Sequence, residues 1–218
     1  MFDAMPQGIE PGGLRDRSEI KILICYLIDK IDFGMTADDI GAFAVKSETA
    51  NFFEVMSAIK ELIENDRITA DDKGFLNLTE RGQRAASILY KELPKTVREK
   101  ILNIAISDLT YRKNAGENPV EINKKDDGYE ISISLINKDE KMMQINLYVS
   151  NLETAENLKN NFLKDPIKIY SNLYSLLLSN EEWKSRFNNF EFARKITGWK
   201  LYSKFDIISK FYNSYRRI

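Results

Sequence analysis

Apolar residues recur at helical spacing in the first part of the chain. Over residues 18–31 they follow the i, i+3, i+4, i+7 pattern of an amphipathic helix. Gly34 interrupts this pattern, and Thr36 with Asp39 three residues later makes the capping box of a short second helix, predicted over residues 37–45. A third helix is predicted from a tight turn at residues 46–48 to about residue 65, with Ser47 or Thr49 as its N-cap. The residues expected to face the core from this helix are Phe52, Val55, Met56, Ile59, Leu62 and Ile63.

The pattern then changes to two short strands. Residues 68–70 and 75–78 flank a turn at 71–74, in which Gly74 supplies the positive φ of a β-hairpin. Thr79 is predicted to cap a fourth helix that ends near residue 93. The short second helix, the turn and the third helix make a helix-turn-helix, and the hairpin is its wing. The sequence therefore predicts a winged-helix domain over residues 18–93, preceded by an extended arm over residues 1–17.

The second half of the chain alternates apolar and polar residues. After a helix that opens at Pro94 and runs to about residue 109, strands are predicted around residues 120–122, 129–135 and 143–149. Short turns between them indicate an antiparallel meander with one apolar face. Helices over residues 153–163 and 167–178 are expected to cover that face with Leu158, Phe162, Tyr170, Leu173 and Leu177. The fold class is therefore α+β, and residues 94–179 are assigned to a second domain for dimerisation or sensing.

Residues 180–218 form a basic, aromatic tail with helical spacing. They carry 9 basic and 4 acidic residues after position 180, whereas residues 1–93 carry 11 basic and 17 acidic ones. Packing in the core or in a dimer interface is the favoured interpretation of this amphipathic tail. Contact with an anionic membrane surface or with nucleic acid is the alternative. The aromatic and apolar positions of the pattern are Trp199, Tyr202, Phe205, Ile208, Tyr212 and Tyr215.

Composition narrows the chemistry that the chain can perform. It contains no histidine and a single cysteine, which removes the commonest general base, nearly all zinc sites and an intramolecular disulfide. Cys25 lies in an apolar run and is predicted to be a buried small hydrophobe. The sequence has no phosphate-binding loop or nucleophile elbow. We therefore expect that the protein is not an enzyme and has no catalytic residue, metal or cofactor. The lack of a signal peptide or spanning apolar run predicts a cytoplasmic protein.

Several short stretches resemble known families of transcription regulators. Leu78, Thr79 and Gly82 match the Leu-Thr-x-x-Gly signature that follows the wing in MarR-like and PadR-like regulators. Together with residues 18–23, 51–53 and 93–101, they resemble an uncharacterised Firmicutes winged-helix family, domain of unknown function 4364, over residues 14–178. The resemblance implies that Thr79 caps the fourth helix, that Gly82 allows close approach to the hairpin, and that the protein regulates transcription. It implies no ligand, activity or catalytic residue.

The candidate site is a DNA-binding surface on a homodimer. The third helix would enter the major groove of double-stranded DNA, where Asn51 could bond an adenine edge, and Lys73 in the wing would contact the backbone. The full set of expected contact residues is Ser47, Thr49, Asn51, Glu54, Ser57 and Lys60 on the helix, Lys73 in the wing, and Arg81 and Arg84 after it.

The charge of this surface opposes DNA binding. The third helix region carries five acidic residues against Lys60 alone, and Arg15, Arg17 and Lys46 offset them only in part. A winged-helix module that binds protein instead of DNA therefore remains the alternative, and a membrane-surface adaptor acting through the tail is a third possibility. For both the DNA-binding and the protein-binding alternative, an unidentified small-molecule or protein effector is a further candidate partner. The acidic residues are Glu48, Glu54, Glu61, Glu64 and Asp66.

Overall fold

The computed structural model describes residues 13–14 and 16–178. The chain divides into two compact units, Met1–Lys113 and Asn114–Ile218, each with its own elements. The predictions for most of the N-terminal arm and for the aromatic tail at residues 180–218 lie outside the described residues.

The first unit has the order of elements that the sequence predicted: three helices, a two-stranded hairpin and further helices. The predicted first and second helices end within one residue of the observed ones. The elements are α1 (Arg17–Lys30), α2 (Ala37–Lys46), α3 (Phe52–Glu64), β1 (Ile68–Ala70), β2 (Leu76–Leu78), α4 (Glu80–Leu89) with a 3₁₀ turn at Tyr90–Glu92, and α5 (Lys95–Glu117), which contributes residues to both units.

Local hydrogen bonds explain where these helices begin. The Thr36 hydroxyl accepts the backbone N–H of Asp39 while the Asp39 carboxylate accepts the backbone N–H of Thr36, so the predicted capping box of α2 is confirmed. The prediction that Ser47 or Thr49 caps α3 is wrong. Asn51 is the N-cap, and its side-chain oxygen accepts the N–H of Phe53.

The Leu-Thr-x-x-Gly stretch joins the hairpin to α4. Leu78 pairs with Ile68 across the hairpin, and the Thr79 hydroxyl accepts the N–H of Gly82 as the predicted N-cap of α4. The same hydroxyl lies 3.1 Å from the carbonyl oxygen of Arg67, and the Thr79 backbone N–H donates to that oxygen at 3.0 Å. These bonds tie the start of α4 to the segment that enters β1.

The predicted hairpin turn is also observed. Gly74 has φ +80°, a left-handed conformation that glycine adopts at little cost. The Asp71 carboxylate accepts the backbone N–H groups of Lys73 and Phe75, which closes the turn from within.

Helix α5 extends eight residues beyond the predicted end near residue 109 and stops just before Asn118 and Pro119. The apolar periodicity ends at Leu109, but Arg112, Lys113, Ala115 and Glu117 after it favour helix despite Gly116, and no proline occurs before Pro119. Periodicity detects burial, so it could not detect a helical extension made of polar residues.

The core of the first unit is built by the inward faces of α1, α2, α3 and α5, closed by residues of the hairpin and α4. Val55, Ile59 and Leu62 of α3 are buried as predicted. Ile63 is not: it is 44% exposed, while Ala58 takes a core position. Phe52 and Met56 are half-buried. Cys25 is buried among these residues, as its apolar surroundings predicted.

The second unit contains the predicted antiparallel meander. Its strands are β3 (Val120–Lys125), β4 (Gly128–Asn137) and β5 (Glu140–Val149), in the order β3-β4-β5. One face is apolar, with Ile131 of β4 opposite Ile122 of β3 and Leu147 of β5. The register between β4 and β5 shifts between Leu135 and Ile136. The pairing is regular from Leu135–Met143 to Tyr129–Val149.

Helix α6 (Leu152–Lys164) packs on β4 and β5, and α7 (Pro166–Leu177) packs on α6. Phe162 is buried as predicted, and Leu158, Tyr170 and Leu173 are half-buried. The prediction for Leu177 is wrong, since its side chain is 77% exposed at the end of α7. None of the helices in the described part of the chain is long and apolar enough to cross a membrane.

Two buried asparagines lie within the second unit, at the C-terminal end of α5. Asn114 donates its side-chain amide to the carbonyl oxygen of Leu163 at 2.8 Å. Asn118 accepts the backbone N–H of Ile136 and donates to the carbonyl of Asn114. Because buried polar groups are costly without partners, these bonds fix the helix end against β4 and α6.

Candidate functional site

The turn between α2 and α3 is held from inside by two hydroxyls. Ser47 is 0% exposed and Thr49 is 2% exposed. Their hydroxyl oxygens lie 2.8 Å apart, and Ser47 donates to the carbonyl of Ala44 at 3.1 Å. The backbone N–H of Leu14 bonds to the Thr49 carbonyl from the other side. The prediction that these hydroxyls lie on the outer face of the third helix is therefore wrong: they make the turn rigid instead.

The outward face of α3 is more apolar than the sequence suggested. Phe53 is the second residue of α3 and is 76% exposed, and Ile63 is exposed at the other end of the helix. Ser57 is half-buried between them, while the exposed Lys60 lies 3.9 Å from the Glu64 carboxylate. The sequence pattern places Phe53 neither in the core nor among the contact residues, because only polar and charged residues are assigned to the outer face of the helix.

Glu54 does not face outward either. Its side chain is 14% exposed, and its Oε2 lies 3.1 Å from Nη2 of Arg17, the first residue of α1. The other guanidinium nitrogen of Arg17 lies 3.0 Å from Glu61, which also pairs with Lys21. The hydrogen bond from Lys21 is the main cause that holds the pKa of Glu61 below its ordinary value, and the hydrogen bond that Arg17 donates to Glu54 raises the pKa of Arg17. Arg17 therefore pairs with two carboxylates of α3 and is not a free cation of the arm.

A second set of ion pairs joins α2 to α5. Arg112 bonds to Asp39 and, at 2.6 Å, to Asp108, which also pairs with Lys46. Burial raises the pKa of Asp39, but the backbone N–H and hydroxyl of Thr36 and the Arg112 guanidinium outweigh it and hold this pKa below its ordinary value of 3.8. The carboxylate is thus ionised and engaged at neutral pH.

Every acidic residue that made the third helix unfavourable for DNA is in an ion pair. Besides Glu54, Glu61 and Glu64, Glu48 pairs with Lys100 at 3.1 Å and Asp66 with Arg81 at 3.9 Å. These contacts offset most of the negative charge of the segment, although they occupy cations as well. Glu54 and Glu61 are partly buried in their ion pairs, whereas Glu48, Glu64 and Asp66 stay largely exposed in theirs.

The remaining predicted contact residues do not form one cluster. Asn51 lies at the N-terminal end of α3, whereas Arg81 lies beside Asp66 at its C-terminal end. These ends are roughly 20 Å apart at 1.5 Å per helical residue. Lys73 in the hairpin turn and Arg84 on α4 are exposed. Within the part of the chain that the structure describes, neither of these two makes an ion pair.

No feature of the described residues points to metal or thiol chemistry. Burial raises the pKa of the Cys25 thiol to about 11, and the positive charge of Arg67 acts in the opposite direction. The described residues contain no group of three or more histidine, cysteine, aspartate or glutamate side chains arranged to hold a metal ion.

Comparison with known proteins adds a family and no activity. No curated protein and no solved structure matches the chain. A family model described as a domain of unknown function, DUF4364, matches residues 20–177, which contain all elements from the first turn of α1 to the end of α7. The match covers well over half of the 218 residues. The chain therefore belongs to the DUF4364 family.

Proposed function

We propose that residues 18–93 form a winged-helix domain and that the protein is a cytoplasmic, homodimeric, DNA-binding transcription regulator. The observation that carries this proposal is the α2–turn–α3 segment followed by the hairpin. The turn is locked by the bond between Ser47 and Thr49, and α3 begins directly after it at Phe52. A rigid turn that sets one helix at a fixed angle to the next is what a helix-turn-helix needs to place α3 in the major groove.

In this proposal the N-terminal turn of α3 meets the base edges. Asn51 offers its amide group to an adenine, and the exposed ring of Phe53 suits contact with a thymine methyl group. Lys60 lies on the same face as Phe53, about two turns further along the helix. The hairpin brings Lys73 to the phosphate backbone, and Arg84 adds a cation from α4. The second unit is proposed to dimerise or to bind an effector.

The ion pairs reduce the electrostatic objection without removing it. Carboxylates that already pair with Arg17, Lys21 and Lys100 repel phosphate less than free carboxylates do. However, few unpaired cations remain among the described residues of α3, the hairpin and α4, so we expect this surface to give weak non-specific affinity and a shallow salt dependence. Sequence preference would then depend mainly on base contacts from α3.

A protein-binding module is the second candidate, and one observation favours it. The outward face of α3 carries Phe53 and Ile63, two exposed apolar side chains on the helix that would otherwise read DNA. Exposed aromatic residues are enriched at protein interfaces. In this case the same helix face would bind an apolar groove or helix of a partner protein.

Selection from a random double-stranded DNA library with the full-length protein tests the proposal. We expect enrichment of a palindromic or near-palindromic motif whose half-sites are roughly 10 bp, or a multiple of 10 bp, apart. Absence of any enriched motif at low salt would contradict DNA binding and favour the protein-binding module.

Two single variants distinguish a contact with the DNA backbone from a contact with a base. Lys73→Ala should weaken binding to all sequences alike and reduce the salt slope by about one counterion. Lys124→Ala, which removes an exposed cation from β3, is the matched control and should leave binding unchanged. Phe53→Ala should alter base preference at one position if α3 reads DNA. It should have no effect on DNA binding if the face serves a protein partner.

A further inference from the structure

The second unit has a long edge strand with no neighbour. Strand β5 is hydrogen-bonded to β4 and to no other strand of the described residues. Ten residues, Glu140–Val149, therefore present backbone N–H and carbonyl groups along one side. Such an edge is a template for pairing with another strand unless the protein protects it.

The two edges of this sheet differ in their protection. Strand β3 follows Pro119 and carries Glu121, Lys124 and Lys125 in six residues. Proline and charged side chains, lysine above all, are the usual means by which natural proteins block pairing at an edge. Strand β5 has its charges only at the turn, in Glu140 and Lys141, and residues 142–149 contain none.

The apolar face of the sheet also reaches the β5 edge without full cover. Helix α6 packs mainly on β4. Leu147 is 41% exposed and Leu152, at the start of α6, is 47% exposed, while Ile145 and Val149 are half-buried. On the opposite face Tyr148 is 61% exposed. A strand placed beside β5 would cover apolar surface on both faces and satisfy the free backbone groups.

We propose that the occupant of this edge is β5 of a second copy of the chain, paired antiparallel about a two-fold axis near Ile145. The two three-stranded sheets would then form one continuous six-stranded sheet. With this axis, Met143 lies opposite Leu147 of the partner subunit, and Gln144 lies opposite Asn146 of the partner subunit. Apolar residues thus meet on one face and uncharged amides on the other, with no like charges opposed. This assignment rests on the homodimer of the proposed function and locates its interface.

The test places like charges at the centre of the proposed interface. Gln144 and Asn146 are both exposed on the polar face, so Gln144→Lys with Asn146→Lys should leave the fold intact. In a β5–β5 dimer, lysines would face lysines twice. We expect light scattering of the full-length variant at micromolar concentration to give the 25.3 kDa chain mass, whereas the unmodified protein gives twice that mass.

Two further variants make the result specific. Glu121→Gln with Asn123→Lys adds the same charge at the β3 edge and should remain dimeric. Gln144→Glu with Asn146→Glu should also be monomeric, and mixing it with the double-lysine variant should restore a dimer, because opposite charges then face each other. Circular dichroism checks that each variant is folded.

Three outcomes overturn the assignment: a monomeric unmodified protein, a double-lysine variant that stays dimeric, or mixed variants that do not associate. A dimer that survives the lysines and dissociates on removal of residues 180–218 would assign the interface to the tail instead. All these measurements are made without DNA. A failed DNA selection alongside a successful charge swap would therefore refute the proposed function and leave this interface standing.

Discussion

The α-carbon of Gly82 lies against the backbone carbonyl of Arg67, and a Cβ built at this glycine would overlap the carbonyl oxygen. The same carbonyl accepts the backbone N–H of Thr79, the N-cap of α4. The first turn of α4 therefore rests directly on the chain as it enters β1. This close contact between α4 and Arg67 requires the Thr79 cap and a residue without a side chain at position 82.

Replacing Gly82 by alanine should destabilise the first unit. The new methyl group meets backbone, which cannot move aside as a flexible side chain can, so we expect a loss of about 2–3 kcal/mol. Urea unfolding followed by circular dichroism measures the change.

Gly116→Ala is the matched control for this substitution. Gly116 lies in α5, and a Cβ there would meet no atom within 4 Å. Alanine should be neutral or stabilising by up to about 1 kcal/mol, since glycine is the weaker helix former. An equal change in the two variants would show that only helix propensity is altered and that the contact of Gly82 with Arg67 does not matter.

Asp39 should make stability depend on acidic pH. Its pKa in the folded protein lies below the ordinary value of 3.8, so the folded state favours the carboxylate. The stabilisation is complete at pH values above 3.8 and is lost as the pH falls through the lowered pKa. Asp39→Asn should cost about 1 kcal/mol at neutral pH, because it weakens the capping box and the ion pair with the half-exposed Arg112.

Thermal unfolding between neutral and acidic pH measures this effect. Asp38→Asn is the control, since Asp38 is an exposed neighbour on the same helix turn and makes neither contact. The difference between the two variants should shrink as the pH is lowered. A difference that stays constant down to the acid transition would contradict the assigned contribution of the Asp39 carboxylate.

The Cys25 thiol should not react in the folded protein. It is 4% exposed and its pKa is about 11, so at about pH 8 both access and the thiolate fraction are small. A thiol reagent followed by mass spectrometry should label almost no native protein and one site per chain in concentrated guanidinium chloride. Complete labelling of the native protein on the time scale of the denatured control would show that α1 is not buried as described.

Asn51 has two roles that can be separated. Its side-chain oxygen caps α3, and its amide group is the proposed adenine contact. Asn51→Ser keeps a capping oxygen but removes the amide, so stability should change by only a few tenths of a kcal/mol while preference at one base position is relaxed by roughly 1–3 kcal/mol. Asn51→Ala should lose both. The measurements are urea unfolding and binding to single-base variants of the selected site; unchanged base preference in Asn51→Ser would remove Asn51 from the reading surface.

The elements of both units could be predicted from the sequence because their causes are local. The Thr36–Asp39 capping box, the Gly74 turn and the Thr79 cap each depend on residues within four positions of one another. The alternation along β4 and β5 likewise follows from the two-residue period of a strand with one covered face. These local signals can be recognised without knowing which helices and strands pack against each other.

The surface chemistry was decided by contacts between residues far apart in the chain. Glu54 was expected to face solvent, yet Arg17, 37 positions earlier, holds it between α1 and α3. Ser47 and Thr49 were expected on a surface, yet their side chains stabilise a buried turn that Leu14 also closes. Phe53 is exposed and Ala58 is buried because the packing of α1 and α2 decides which face of α3 is inside. A one-dimensional pattern gives the period of a helix, and only its neighbours in three dimensions decide which side chains remain free to bind.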